Sequence, residues 1–411
     1  MTRVAVISGA GAVSAFGLGL PALLDGLAAG RAAVGPIRHF DVSAFPTQVA
    51  GEVPVTSIDP AWLASAADLP LPPLPDGLLR DRKVAFALLA AVEAWRAARC
   101  GPAERAATVS LALGLEQAFL EDFGADITQL YAAPQDAIRI RSRVDLGADL
   151  VGAALALTGP RVVHVSACAA GALAVAHAAA LIERGDAEVV LCGGADSMVN
   201  PLGIGGMSRL GAPSPRAAAD ACRPFDRRRD GLAIGEGAAM FVVEAEARAR
   251  ARDVRPLARI LGWGSTQDAY RATAPRPDGT RARAAMARAL ARAGLTAQAI
   301  DYINAHGTGT PAGDPAEARA IHDLAPAAPV SSIKGAVGHL MAAAGAVEIA
   351  ACLLAFERDL LPGTAHHHER DPECDIDVIG PALRPARARA LLTNSFGFGG
   401  QNASLVLARP A

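Results

Sequence analysis

The stretch VVHVSACAAGALAVAHAAALI, residues 162–182, decides how the rest of the chain is read. It contains no Asp, Glu, Lys or Arg over twenty-one residues, and one thiol, Cys168, lies near its start among small residues. By length alone the run could span a bilayer. Its first four residues are β-branched or His, however, and a strand-to-helix break at Ser166–Ala167 would leave the helix too short to cross. His164 and His177 are costly in lipid, and the helix is rich in Ala, not Leu. A buried core helix explains the composition, because Ala and Gly allow close packing. It does not explain a Cys at the first turn. A helix carrying a nucleophile explains both. Unpaired N–H groups and the helix dipole favour a thiolate at that end. Ala167, Ala169, Ala170 and Gly171 leave room for a bulky acyl group.

The composition narrows the setting. The chain has 411 residues, 52% of them hydrophobic, enough for two domains or one large duplicated one. Basic and acidic residues number 39 and 41, which gives no reason to expect a nucleic-acid partner. Six scattered cysteines form no CxxC pair, so neither a disulfide scaffold nor a zinc ribbon is indicated. MTRVAVISGAGAVSAFG lacks the layout of a signal peptide, and a reducing cytoplasm is the expected setting. Only Lys83 and Lys334 are lysines; every other basic residue is Arg. A chain that writes its charges as Arg would keep Lys where a compact ammonium fits and a guanidinium fork does not.

Around the central stretch the pattern alternates. Residues 3–8 read as a buried strand, 20–31 as a helix, 68–76 as a Pro-rich surface loop and 80–99 as an amphipathic helix. Residues 162–166 read as a strand, 168–184 as a helix and 188–192 as a strand. Residues 193–236 look loop-rich, and 240–253 read as strand then charged helix. A second half begins near 256. It holds an Arg-rich helix at 280–294, short strands in DYINAHG and VSSIKG, a buried helix over 340–357, and a Gly-rich turn before a last strand. Continuous apolar strands alternating with helices predict an α/β protein with covered sheets. Each half places a small-residue helix after a strand, which predicts a layered, duplicated fold divided as 1–254 and 255–411.

A lone Cys needs partners that handle protons and charge. INAHGTGTPAGDPAEARAI (303–321) supplies His306 after a strand, then an acidic helix start. SSIKGAVGHLMAAAGAVE (331–348) supplies Lys334, His339 and Glu348. A carboxylate in a buried helix needs a cationic or hydrogen-bonding partner, and Lys334 is the candidate for Glu348.

With SACAAG, CRPFDRRRDGLAIGEGA (222–238), NAHGTGTPAGD (304–314), SSIKGAVGHLMAAAGAVE and NSFGFGG (394–400) in this order, the chain resembles the β-ketoacyl-acyl-carrier-protein synthases of the thiolase-like superfamily. The resemblance is to the elongating type with a Cys-His-His triad, and it covers essentially the whole chain. It implies a five-layered αβαβα fold from two duplicated halves. It implies an acyltransferase that condenses an acyl group on Cys168 with malonyl-acyl-carrier-protein, in fatty-acid, polyketide or polyene elongation. His306 and His339 would donate hydrogen bonds to the malonyl thioester oxygen, with activation of a water by one of them as the alternative, and Lys334 with Glu348 would hold the local charge.

The same resemblance carries further residues. The N–H of Phe398 would join that of Cys168 in an oxyanion hole, with Phe398, Gly399 and Asp268 on gating loops. Thr308 and Thr310 would grip the pantetheine arm. Met207, Leu115 and Phe396 would line the acyl pocket, Glu116 lying beside Leu115. Arg80, Arg82, Lys83 and Arg209 would dock an acidic acyl carrier protein. No cofactor beyond the carrier's phosphopantetheine and no metal is expected, although AHHHERDPEC (365–374) collects three His, three acids and a Cys. A homodimer is expected, with a heterodimer containing a chain-length-factor paralogue as the alternative. Met207 and Gln401 depart from the housekeeping pattern. Competing readings are an inactive chain-length factor, which would lack the Cys, and a CoA-dependent thiolase, which would carry a second Cys in the loop that here reads GFGGQN.

Overall fold

The computed structural model describes residues 3–74, 77–114 and 145–410. Its framework is one arrangement of strands and helices occurring twice. The first half runs β1 (Ala5–Ser14), α1 (Arg82–Ala97), β2 (Thr108–Leu113), α2 (Leu146–Ala154), β3 (Arg161–His164), α3 (Ala170–Arg184), β4 (Val189–Ser197), a segment with α4 (Pro201–Arg209), and β5 (Ile234–Ala245). The second runs β6 (Ala258–Gln267), α5 (Thr280–Ala293), β7 (Tyr302–Asn304), α6 (Gly313–Leu324), β8 (Val330–Ser331), α7 (Ala344–Glu357), β9 (Ala390–Gly397) and β10 (Gln401–Ala408).

The strand path is β8-β7-β9-β10-β6-β1-β5-β4-β2-β3. Read outward from the centre, each half has the same order and sense. β2 is parallel to β3 and β4, and β7 is parallel to β8 and β9. β4–β5 and β9–β10 are antiparallel pairs. The halves meet where Ala5–Ile7 of β1 pairs antiparallel with Ala258–Ile260 of β6. Helices α1 and α2 cover the outside of the first half, α5 and α6 the outside of the second, and α3 and α7 pack on each other between the sheets. This is the five-layered, thiolase-like αβαβα arrangement.

Glycine sets the spacing of those layers. A Cβ at Gly9 or Gly11 would lie 2.2 Å from the carbonyl oxygen of Ala94 or Ala90 in α1. A Cβ at Gly262 or Gly264 would lie 2.2 Å from Ala289 O or Ala285 O in α5. The N-terminal GAG is thus a helix-packing surface with an exact counterpart in position in the second half. At the centre, a Cβ on Gly171 would be 2.8 Å from Ala346 N, and one on Gly345 would be 2.8 Å from Ala172 N. The two central helices can cross this closely only because both positions are Gly.

Contrary to the expectation of a helix too short to cross, the central run Ala167–Arg184 is long and apolar enough to span a membrane by length and composition; 61% of it is buried inside the protein. From Ala344 to Phe356 every residue of α7 is buried, as expected for a helix apolar on all sides. The segment expected to be loop-rich holds α4, capped by the Asn200 side chain accepting from Gly203 N at 2.8 Å. Three glycines in nine residues hid it from a propensity reading. The strand expected at 188–192 continues to Ser197, because β5 pairs with it to Ser197↔Glu236.

Candidate active site

The chain leaves β3, turns at Ser166 and passes through Ala167 at φ 46, a left-handed conformation unusual for a residue with a Cβ. Ala167–Ala169 form a 3-10 turn that leads into α3. Cys168 is in that turn, buried. The second half repeats the device: Met341 has φ 47, Met341–Ala343 form a 3-10 turn, and α7 follows.

Strand ends bring the partners in. His306 follows β7, Lys334 follows β8, and His339 precedes the second elbow. His339 Nε2 lies 3.1 Å from Cys168 Sγ. The His306 and His339 rings meet edge-on at 84° with centroids 5.2 Å apart. The donor atoms of Cys168, His306 and His339 all lie within 4.8 Å of one another.

Hydrogen bonds decide the tautomers. His339 Nδ1 accepts from Met341 N at 3.2 Å, so the ring proton is on Nε2. Lys334 Nζ lies 3.3 Å from His306 Nδ1, and an ammonium can only donate, so His306 also carries its proton on Nε2. Burial, with Lys334 adding to it, holds both imidazoles well below the ordinary histidine range. Two neutral rings therefore present N–H donors to one cavity.

Lys334 uses its three donors on His306 Nδ1, the His306 carbonyl oxygen at 2.5 Å, and the Glu348 carboxylate. Its side chain is 1% exposed and that of Glu348 2%. Burial raises the Glu348 carboxyl above its ordinary range while Lys334 pulls against it. Convergent acceptors around a point charge suit an ammonium, not a planar fork. Lys83 is likewise buried and ion-paired, with Asp81.

Opposing influences act on the thiol. Cys168 is at the N-terminal end of the helical run, but burial pushes its thiol up to about 11, with Lys334 and the N–H of Phe398 pulling the other way. Burial thus works against the thiolate that the helix start favours. The N–H of Phe398 faces the sulfur, and a Cβ on Gly397 would sit 2.9 Å from Cys168 N. Gly397 thus lets its strand end lie directly against the backbone of the Cys168 turn.

A cavity of about 290 Å³ adjoins this cluster, lined by Cys168, both histidines, Thr308, Thr310, Met207, Met341, Asp268, Phe396 and Phe398. Thr308 Oγ1 and Thr310 Oγ1 are 2.9 Å apart. Phe396 places its ring centroid 6.1 Å from that of His306. Gly399, at φ 77, donates to Ala272 O at 2.6 Å, and Asp268 accepts from Asn402 Nδ2 at 2.6 Å and Arg276 N at 2.8 Å. The loops carrying Phe398–Gly399 and Asp268 are thereby tied together. Leu115 and Glu116 lie outside the described residues.

Two docking expectations are corrected. Arg82 points inward: Nη2 is 2.9 Å and Nε 3.1 Å from the Glu236 carboxylate, and Nη1 donates to Val55 O at 2.9 Å. Lys83 is 1% exposed on its pair with Asp81. Neither offers charge to a partner. Arg80 and Arg209 are exposed, and Arg209 adjoins Leu210, which lines the cavity and is 55% exposed. In 365–374 the chain uses its charges on itself. Arg229 pairs with Asp371, and Asp226 accepts from His368 N at 2.7 Å and Glu369 N at 2.8 Å.

Some site residues escaped sequence reasoning. Glu317 accepts from His306 N at 2.9 Å and Gly307 N at 2.7 Å, while Asp314 accepts from Phe225 N at 2.6 Å and Thr308 N at 3.0 Å. Burial lifts them to about 7 and about 6. Both belong to the first turns of α6, and the acidic helix start after a Gly-rich loop was their signal.

The comparisons agree with this architecture. The N-terminal domain of the β-ketoacyl synthases matches residues 1–249, and their C-terminal domain matches 257–368. The 3-oxoacyl-[acyl-carrier-protein] synthase 2 of Coxiella burnetii is 36% identical, covering 99% of both chains. The tetracenomycin polyketide synthase ketoacyl synthase alpha subunit of Streptomyces glaucescens is 34% identical over 100% of this chain and 99% of its own. The solved ishigamide ketosynthase/chain length factor superposes with a TM-score of 0.87 at 32% identity, covering all of both chains. A type II polyketide ketosynthase bound to the hexaketide, in complex with its acyl-carrier protein, gives 0.83 at 25%, again over the full length of both chains. With this fold, these motifs and this cluster of Cys and His, the chain belongs to the β-ketoacyl synthase family.

Proposed function

We propose that the chain extends an acyl group by decarboxylative condensation with malonyl-acyl-carrier-protein, in fatty-acid or polyketide elongation, with Cys168 as the nucleophile. The observation that carries the residue roles is the pair of Nε2–H donors on His306 and His339 beside a buried thiol.

In the first step Cys168 sulfur attacks the thioester carbonyl of the acyl carrier. A carbon–sulfur bond forms to Cys168 as its S–H bond breaks, the thioester bond to pantetheine breaks, and the thiol proton passes to the leaving pantetheine thiolate. The N–H groups of Cys168 and Phe398 hold the oxyanion. In the second step the bond from the malonyl α-carbon to its carboxylate breaks and CO2 departs. The electron pair runs into the thioester carbonyl, and the enolate oxygen accepts from His306 and His339. Neither ring is a resting base, since each Nδ1 already accepts a hydrogen bond. The enolate carbon then attacks the Cys168 thioester, giving a β-ketoacyl carrier two carbons longer and freeing the sulfur. Thr308 and Thr310 hold the pantetheine arm, and Met207 with Phe396 shapes the acyl end. Phe398, Gly399 and Asp268 gate the path between.

The partner is an acyl carrier protein docking at the mouth beside Arg209, with Arg80 as a second basic contact. The chain works as a dimer, as a homodimer or with a chain-length-factor paralogue; an edge strand β3 and Val165, 63% exposed, offer the pairing surface. Free thiols at all six cysteines support a cytoplasmic setting. The test is an assay of the purified protein with malonyl carrier and a ladder of acyl-carrier primers, read by mass spectrometry. A β-ketoacyl carrier two carbons longer than at least one primer is expected. Hydrolysis of the primers without elongation would overturn the reading.

A further inference from the structure

The duplication assigns every residue of the nucleophile turn a counterpart. Ala167 at φ 46 corresponds to Met341 at φ 47, so Cys168 corresponds to Ala342 and Gly171 to Gly345. Cys168 lines the cavity. The N–H of Ala342 is already taken: Asp196 Oδ2 accepts from it at 2.9 Å. Asp196 is on β4, 2% exposed, and its Oδ1 accepts from Ser197 N at 2.8 Å. An internal carboxylate thus holds, in the second half, the N–H that corresponds in position to that of Cys168.

We infer that Asp196 is a positioning residue for the decarboxylation step, because it clamps the turn whose Met341 N–H fixes the His339 ring. The chain of contacts is short. Asp196 holds Ala342 N; the preceding residue, Met341, is kept at a positive φ; its N–H meets His339 Nδ1 at 3.2 Å; and His339 Nε2–H then faces the cavity. The clamp is built tightly on both sides. A Cβ at Gly114 would lie 2.3 Å from Asp196 Oδ1, and one at Gly194 would lie 3.0 Å from Ala342 O. Burial raises the Asp196 carboxyl to about 6, and the nearby Lys83 ammonium pulls it back. This gives the second lysine of the chain a role inside the protein.

The inference rests on the functional reading above, and the experiment separates the two. Asp196→Asn keeps the volume but replaces two acceptor oxygens by one, so one of the two N–H groups faces an NH2. Acyl loading is read as the mass of the intact enzyme after mixing with acyl carrier. Decarboxylation is read with malonyl carrier in a Cys168→Gln background. Asp196→Asn should leave the loading rate within about twofold and lower decarboxylation about 10- to 100-fold, the scale of a displaced reacting group. Gly114→Ala, which pushes on the same carboxylate, should give the same split, and Asp196→Glu should recover part of the lost rate. Decarboxylation unchanged, or loading and decarboxylation falling together, overturns the inference. So does failure of all three variants to fold by circular dichroism, which would make the contact purely structural. If the Cys168→Gln parent does not decarboxylate, the functional reading fails instead.

Discussion

Replacing Lys334 by Met should separate the two halves of the reaction while weakening the fold. The ammonium is 1% exposed and Glu348 2%, so the variant leaves a buried carboxylate without its ion-pair partner. Removing one member of such a pair costs about 3–5 kcal/mol. The cost depends on pH in a defined direction. The Glu348 carboxyl is already raised above its ordinary value and rises further without Lys334, so the folded variant takes up a proton that the unfolded chain holds only at lower pH. The deficit is therefore smallest below the folded-state value of Glu348 and grows as pH rises through it. The catalytic effect is separate. Lys334 is the donor that forces His306 to keep its proton on Nε2. Without it the Nδ1 tautomer becomes available, and one donor to the enolate oxygen is lost part of the time. Complete loss of one such donor costs about 2.7–4 kcal/mol, a factor of about 10²–10³ in rate, which is the ceiling approached as the Nδ1 tautomer comes to dominate. Urea unfolding at pH 6 and pH 8 reads the first effect, and malonyl-carrier decarboxylation the second. Acyl loading of Cys168 should persist, since its oxyanion donors are the N–H groups of Cys168 and Phe398. Decarboxylation within twofold of wild type in a folded Lys334→Met protein would refute the tautomer argument.

Three further outcomes follow from the site. Gly397→Ala should lower acyl loading at least tenfold, because the new Cβ sits 2.9 Å from Cys168 N; an unchanged single-turnover loading rate would count against the oxyanion hole. Alkylation of Cys168 by iodoacetamide should keep rising with pH beyond 9, since its thiol is raised to about 11; a plateau below pH 8 would mean that the helix terminus outweighs burial. Met207→Phe, which adds bulk among Met341, Leu232 and Ile204, should shift the product profile toward shorter primers; an identical profile would exclude Met207 as a determinant of chain length.

The reactive centre was legible in the sequence for a physical reason. A nucleophile at a helix start, histidines at strand ends and a lysine in a chain that otherwise uses Arg are each conspicuous where they stand. The layered fold was legible for a similar reason, since a helix with no polar face has to be covered on every side. Burial defeated the rest. The RDRK run reads as a solvated helix start, yet Arg82 turns onto Glu236 and Lys83 onto Asp81, acids that the sequence gives no reason to pair with them. The same burial opposes the thiolate that the helix start favours at Cys168. Gly9 and Gly11 have no evident reason to be Gly in a buried strand until α1 is seen lying on them. Asp196 carries no local signal, because its partner is 146 residues away on the other half of the duplication.

The central claim is that one sulfur carries the chain while two histidines release CO2. It is tested most directly by giving acyl and malonyl carriers to the Cys168→Ala and Cys168→Gln enzymes and following CO2 release and β-ketoacyl product together. The account predicts no elongation by either variant, with malonyl decarboxylation retained or raised in Cys168→Gln. Elongation by Cys168→Ala, or loss of decarboxylation in a folded Cys168→Gln enzyme, would contradict it.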